Sequence, residues 1–150
     1  MATPESPDLN LFHPHFLSIQ KPIVLVADDD VMIRNLVTLL MQGEGYVVLS
    51  SSDGQEGLEL SRKYPGTIDL LITDMEMPRL NGMDLCSHLL QERPGIRVIL
   101  MSAGDISEIV SKNVNLPFLP KPLDGAALIA RVRAVLGAPV YEQTQAPNKP

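Results

Sequence analysis

The sequence has one cysteine, no tryptophan and few aromatic residues, and it lacks basic clusters and long apolar runs. A single cysteine, Cys86, excludes an internal disulfide bond and a metal site built from several thiolates. No apolar run approaches the roughly 18 residues that a membrane span needs. The net charge of −6 and the absence of a Lys/Arg-rich stretch disfavour direct nucleic-acid binding. Prolines and acids occupy the N-terminus, where a secretory signal would carry positive charge. These absences predict a soluble, cytoplasmic protein.

The chain has 150 residues, of which 45% are hydrophobic, so we expect one domain with its own core. Residues 1–20 contain three prolines among apolar residues and are interpreted as an N-terminal arm. Residues 21–137 form the predicted domain. Residues 138–150 are polar and proline-bearing, so we expect a disordered C-terminal tail.

Short apolar runs alternate with segments of helical periodicity across the predicted domain. The pattern predicts strands at 22–27, 46–50, 68–73, 97–101 and 118–119. Helices are predicted after each strand: from Val31 to about Gly43, at 54–64, from an Asn81 cap to Glu92, a short one from about Asp105, and from an Asp124 cap to Gly137. This alternation is typical of an α/β fold in which helices cover both faces of a parallel sheet.

Polar side chains stand where these predicted strands end. Asp28 and Asp29 follow the first strand, Asp74 the third, Ser102 the fourth and Lys121 the fifth. Parallel strands all end at the same edge of the sheet, where ligands bind in open α/β folds. We therefore expect these five residues to meet in one site.

Three crowded carboxylates repel one another unless a cation joins them. Mg²⁺ fits this role, because it takes oxygen ligands and is commonly held by one or two carboxylates together with a phosphate oxygen. A carboxylate left at the rim can act as a nucleophile and form an acyl phosphate. A nearby lysine and hydroxyl would then bind the phosphoryl oxygens.

Four motifs carry a family resemblance. The segments VLVADDDVMIR, LLITDMEMPRLNG, VILMSAG and PFLPKP occur in order, and together the match covers about residues 21–137. On these motifs the sequence resembles the receiver domain of two-component response regulators. The resemblance implies a flavodoxin-like, doubly wound sheet of five strands in the order 2-1-3-4-5. It also leads us to expect a cis peptide bond between Lys121 and Pro122.

The resemblance assigns a role to each matching residue. Asp74 would be the phosphorylation site, while Asp28 and Asp29, with Asp74 and the backbone carbonyl of Glu76, would hold Mg²⁺. Ser102 would be the switch hydroxyl and Lys121 the lysine that pairs with the phosphoryl group. The aromatic switch position is held by Phe118, which lacks the hydroxyl of a tyrosine.

The resemblance implies a phosphorylation-controlled switch in a phosphorelay rather than a classical enzyme. A histidine kinase or phosphotransfer protein would donate the phosphoryl group, and a downstream protein target would bind the altered surface. The distance from Ser102 to Lys121 is shorter than is common in the family, which predicts a reduced fourth helix. A homodimer is allowed, although the shortened helix weakens the face that the family commonly uses for it.

Other functions compete with this interpretation. A small haloacid-dehalogenase-like phosphohydrolase would use Asp28 of the Asp28-Asp29-Asp30 run as its nucleophile, but it leaves the motif around Asp74 unexplained. A receiver module cut from a longer hybrid kinase or multidomain regulator would carry the same motifs. A receiver that has lost phosphorylation is disfavoured because every expected position holds a competent residue. A nucleotide-binding fold is weaker, because Gly43-Glu44-Gly45 precedes the second strand and lacks a third glycine.

Overall fold

A computed structural model describes residues 21–104, 107 and 116–137. The predicted N-terminal arm and C-terminal tail lie outside the described residues. So does nearly all of the short helix predicted from Asp105, and with it the expected reduction of the fourth helix.

The domain is built on one parallel sheet of five strands. The strands are β1 (Ile23–Ala27), β2 (Val47–Ser51), β3 (Leu70–Asp74), β4 (Arg97–Ser102) and β5 (Phe118–Pro120). They pair in the order β2-β1-β3-β4-β5, and every pair is parallel. The predicted order 2-1-3-4-5 is therefore confirmed.

Helices connect the strands and begin at side-chain caps. They are α1 (Val31–Gly43), α2 (Gly54–Lys63), α3 (Gly82–Glu92) and α4 (Gly125–Leu136). Each first turn is capped by the carboxylate or amide oxygen of the preceding residue, namely Asp30, Asp53, Asn81 and Asp124. Such a cap contributes about 1 kcal/mol, because it satisfies amides that have no partner within the helix.

Two apolar cores lie on opposite faces of the sheet. On one face α1 and α4 pack through Val37, Met41, Leu128 and Val132 against alternate residues of the central strands. On the other face α2 and α3 pack through residues that include Leu58, Leu85 and Leu89. Strands β1 and β3 are buried on both faces, which explains why they appear in the sequence as continuous apolar runs. Among the helices of the described residues, none combines the length and the hydropathy of a transmembrane span.

The boundaries of the elements differ from the sequence expectation by one or two residues. Strand β2 begins at Val47 rather than at residue 46, because the amide of Tyr46 donates to Met41 O at the end of α1. Strand β3 begins at Leu70 and includes Asp74 itself, whose backbone pairs with Met101 of β4. Helix α2 ends at Lys63, and Tyr64 is its cap.

The connection between β3 and α3 folds tightly back on the end of β3. The amide of Gly82, the first residue of α3, donates to Met75 O at 2.8 Å. A Cβ atom on Gly82 would overlap the carbonyl oxygen of Asp74. A residue without a side chain is therefore required where α3 begins.

We predict that Gly82→Ala lowers the free energy of unfolding by about 2 kcal/mol or more, since the added methyl group forces the helix away from the strand. Chemical denaturation measures the change. Gly43→Ala is the matched control: a Cβ there meets nothing within 4 Å, so the variant keeps or gains stability. Equal effects of the two substitutions would contradict the prediction.

Candidate functional site

Asp28 lies at the bottom of the site, immediately after β1. Its side chain is 0% exposed, and its Oδ1 accepts a hydrogen bond of 2.9 Å from the amide of Asp30. Arg34 of α1 donates to the Asp28 carbonyl oxygen at 2.7 Å, which ties the start of α1 to the end of β1. The next residue, Asp29, is exposed at the rim.

Asp74 ends β3 next to Asp28. The pairing of Ala27 with Thr73 sets β1 and β3 in register, so the residue that follows each one lies beside the other. Asp74 is 7% exposed, and its Oδ1 accepts a long hydrogen bond of 3.4 Å from the amide of Glu76.

Lys121 follows β5 and places its ammonium group between the two acids. Its Nζ lies 2.9 Å from Asp28 Oδ2 and 3.2 Å from Asp74 Oδ2. The backbone amide of Lys121 donates to Ser102 O at 2.8 Å, which fixes the residue against the end of β4. The peptide bond between Lys121 and Pro122 is cis, as expected from the family resemblance.

Burial and charge change the acidity of the site. Burial, together with the negative charge of Asp28, raises the pKa of Asp74 above its ordinary value, although Lys121 and the Glu76 amide oppose this shift. Burial alone would lower the pKa of Lys121. The hydrogen bond and charge of Asp28, with those of Asp74, outweigh it, so the pKa of Lys121 is raised. The lysine therefore stays protonated at neutral pH.

Ser102 and Glu76 lie at the side of this cluster. Ser102 is buried, and its Oγ accepts a hydrogen bond of 3.0 Å from the amide of Gly104. A Cβ atom on Gly104 would lie 3.7 Å from Ser102 Oγ and 3.8 Å from Glu76 Oε1, so the hydroxyl and the carboxylate share this corner. Phe118 is half-buried on β5 and packs against the core cluster beneath α2 and α3.

The three acids form a group that suits a hard cation. Carboxylate oxygens of Asp28, Asp29 and Asp74 lie within 4.8 Å of one another. Oxygen-only ligands with an exposed member at the rim fit Mg²⁺, which keeps several waters when it binds. The structure thus brings together the three side chains that were expected to hold a metal ion.

One pair of residues was not predicted as part of the site. Arg79, between β3 and α3, donates from Nε to Asp53 Oδ2 at 2.9 Å and from Nη2 to the same oxygen. No functional role was expected for Asp53, which directly precedes the helix predicted at 54–64 and caps α2 in the structure. Arg79 stands in the motif that carries Asp74, but no local pattern indicates a partner that lies 26 residues earlier.

Known proteins are similar to this chain in sequence and in fold. A family model described as the response regulator receiver domain matches residues 24–133. The transcriptional regulatory protein CpxR of Escherichia coli (strain K12) is 31% identical over 127 residues, which cover 83% of this chain and 53% of CpxR. The transcriptional regulatory protein CseB of Streptomyces avermitilis is 37% identical over 120 residues, covering 78% of this chain and 49% of CseB. This chain thus spans about half the length of these curated relatives.

A solved structure of a receiver domain is also similar to this chain in fold. The response regulator receiver domain protein of Clostridium thermocellum superposes with a TM-score of 0.69 at 26% identity. The superposition covers 84% of this chain and 99% of that protein. The likeness therefore extends over nearly the whole of a separate receiver domain.

We predict that Asp74→Asn stabilises the protein at pH 7 in the absence of divalent ions. A carboxyl group whose pKa is raised in the native state is more stable protonated, so it destabilises the fold as pH rises through that pKa. The midpoint of thermal unfolding should rise by about 3 °C at pH 7, and this gain should shrink as the pH falls toward 4.

Asp84→Asn is the control, because it removes the same charge from an exposed position in the first turn of α3. It should give no comparable gain. A gain for Asp74→Asn that stays constant between pH 7 and pH 4 would contradict the electrostatic explanation.

Proposed function

This chain belongs to the response regulator receiver domain family of two-component systems, and on that premise we propose that it is a phosphorylation-controlled signalling switch. The observation that carries the proposal is the contact of one lysine ammonium, that of Lys121, with both Asp28 and Asp74 at the end of the sheet. Such a cation can neutralise a phosphoryl group that becomes attached to either acid.

Exposure favours Asp74 over Asp28 as the phosphoryl acceptor. The Asp74 side chain is 10% exposed, whereas that of Asp28 is 0% exposed and already bonded by the Asp30 amide. Only a carboxylate oxygen that an incoming donor can reach is able to attack phosphorus in line. The same comparison disfavours a hydrolase that would use Asp28 as its nucleophile.

The proposed reaction is transfer from a phosphohistidine of a histidine kinase or phosphotransfer protein. An Asp74 carboxylate oxygen attacks the phosphorus, the phosphorus–nitrogen bond breaks, and the imidazole leaves with the bonding electrons and takes up a proton. Lys121 pairs with the phosphoryl oxygens of the resulting acyl phosphate. Asp28 and Asp29, with Asp74 and the Glu76 carbonyl, would hold Mg²⁺, which supplies further neutralisation of phosphoryl charge when bound.

We propose that the phosphoryl group reorganises the corner at Ser102. Its hydroxyl would exchange its bond with the Gly104 amide for a bond to a phosphoryl oxygen. Phe118 would follow into the space that Ser102 leaves, driven by apolar burial since the side chain has no hydroxyl. The changed surface would then bind a downstream protein target.

Helix α1 offers support for a protein as phosphoryl donor. Met32 is 78% exposed and Leu39 is 66% exposed, and both lie with Leu36 on one side of α1. This helix begins at the acidic residues of the site. An apolar surface that begins beside the acceptor suits a protein donor, which must exclude water around the transferred group.

We further propose that the output is protein contact in the cytoplasm rather than direct DNA binding. The net charge of −6 offers little attraction to a phosphate backbone. Curated relatives such as CpxR and CseB are named as transcriptional regulatory proteins, and about half the length of each lies outside the match. The similarity of this domain alone therefore gives no reason to assign the activity of those whole proteins to this chain.

Intact-mass measurement after incubation with Mg²⁺ and acetyl phosphate tests the proposed acceptor. Wild type should gain about 80 Da, the mass of one phosphoryl group, and Asp74→Asn should gain nothing. Asp84→Asn should be labelled like wild type. Phosphate release that survives Asp74→Asn but is lost in Asp28→Asn would instead support the hydrolase.

The Glu76 carboxylate should slow phosphorylation by small anionic donors, because it adds negative charge at the corner of the site that contains Ser102 and Gly104. We predict that Glu76→Gln is labelled by acetyl phosphate about two- to fivefold faster, as expected for a partly screened interaction of roughly 0.5–1 kcal/mol. We also expect a changed decay rate of the phosphorylated form, because we propose that the carboxylate perturbs the attacking water. Time courses of intact mass measure both rates, with Glu59→Gln on α2 as the control of equal charge. Labelling and decay rates of Glu76→Gln equal to those of wild type would show that the Glu76 carboxylate affects neither reaction.

A further inference from the structure

The segment 75–81, here called the β3–α3 loop, follows the proposed acceptor and is attached at both ends. The amide of Met75 donates to Met101 O at 3.0 Å, and the amide of Gly82 closes the loop by donating to Met75 O at 2.8 Å. Glu76, whose carbonyl is the proposed backbone ligand of Mg²⁺, lies just inside the first attachment. The position of that carbonyl therefore depends on the path of the loop.

The tip of the loop has a backbone conformation that favours glycine. Arg79 has a φ of 68°, a left-handed conformation that is unfavourable for a residue with a side chain. The next residue, Leu80, lies directly on the start of α2, where a Cβ atom on Gly54 would overlap its carbonyl oxygen. A contact with the rest of the domain is therefore needed to stabilise this conformation of Arg79.

The Asp53 carboxylate provides that attachment. Its Oδ1 accepts a hydrogen bond of 2.8 Å from the Glu56 amide and so caps α2, while its Oδ2 accepts both hydrogen bonds from the Arg79 guanidinium. Asp53 is buried, whereas Arg79 is exposed. Burial would raise the pKa of Asp53, but the Glu56 amide and Arg79 outweigh it and lower this pKa, so the carboxylate is ionised at neutral pH.

We propose that Asp53 and Arg79 are positioning residues for the Mg²⁺ site. Their ion pair attaches the β3–α3 loop to the first turn of α2 and thereby holds in place the backbone of Glu76, whose carbonyl is the proposed ligand of Mg²⁺. This inference rests on the proposed function, because it requires that the acidic cluster binds Mg²⁺. Asp53 and Arg79 would then contribute to the affinity for Mg²⁺, although neither residue belongs to the acidic cluster.

Charge and position predict opposite effects when Arg79 is neutralised. Removing a positive charge near a cation site, and leaving Asp53 unpaired, would by Coulomb attraction alone strengthen Mg²⁺ binding. Loss of a positioning contact instead weakens binding, and residues that orient metal ligands commonly contribute about 10- to 100-fold in affinity. The direction of the change therefore separates the two roles.

The test is thermal unfolding at increasing MgCl₂ and constant ionic strength, without a phosphoryl donor. The rise of the midpoint with Mg²⁺ concentration gives the Kd of each variant relative to its own unliganded stability. We expect Arg79→Gln to weaken Mg²⁺ binding about tenfold. Arg79→Gly, which accepts a φ of 68° without strain, should also bind weakly while retaining most of its unliganded stability. Arg79→Lys should recover part of the affinity.

Arg62→Gln is the matched control. Arg62 also donates two hydrogen bonds to one carboxylate, at 3.0 Å to Glu92 Oε1 and 3.1 Å to Glu92 Oε2, between the last turns of α2 and α3. Its loss changes the net charge equally at the opposite end of these helices, so Mg²⁺ binding should stay within about twofold of wild type.

Mg²⁺ binding by Arg79→Gln and Arg79→Gly that equals or exceeds wild type would overturn the inference. If Asp28→Asn removes the Mg²⁺ response while the Arg79 variants keep it, the proposed metal site stands and the positioning role alone fails. If wild type shows no response, or if Asp28→Asn leaves the response intact, the proposed metal site fails and the inference fails with it.

Discussion

The functional end of this domain depends on holding two buried carboxylates side by side. The register of β1 and β3 makes Asp28 and Asp74 neighbours, and both side chains are buried. Neither desolvation nor mutual repulsion favours this arrangement. Lys121 reaches both acids from the end of β5, so three strands must end together before the charges can be compensated. The strand order therefore determines whether the charges of the site can be compensated.

This constraint explains why much of the site was predictable from the sequence. Continuous apolar runs identify β1 and β3 as central strands, and a charged residue directly after such a run must lie at the edge of the sheet. The meeting of Asp28, Asp74 and Lys121 then follows from the rule that parallel strands share that edge. The pairing of neighbouring strands does not follow from apolar periodicity, and it was the family resemblance that supplied the order 2-1-3-4-5.

The parts that escaped prediction depend on contacts between residues far apart in the chain. Arg79 meets Asp53 only because the β3–α3 loop folds onto the first turn of α2, and no periodic pattern records this approach. Arg93 is similar: it donates to Ser61 and to the carbonyl oxygens of Tyr64 and Gly66 beyond α2. An arginine in a loop sequence indicates exposure, whereas its partner is determined by the tertiary structure.

The apolar cores and the acidic cluster differ in how readily they can rearrange. The two cores are close-packed against both faces of the sheet, and such interiors resist gradual deformation. The acidic cluster is the opposite case, because burial and the neighbouring charge of Asp28 disfavour the ionised form of Asp74 and raise its pKa. Attachment of a phosphoryl group would add charge at the very point where Lys121 is already shared between two acids. On the proposed function, the response would consist of redistributed contacts among the ends of β3, β4 and β5, because the close-packed cores resist rearrangement.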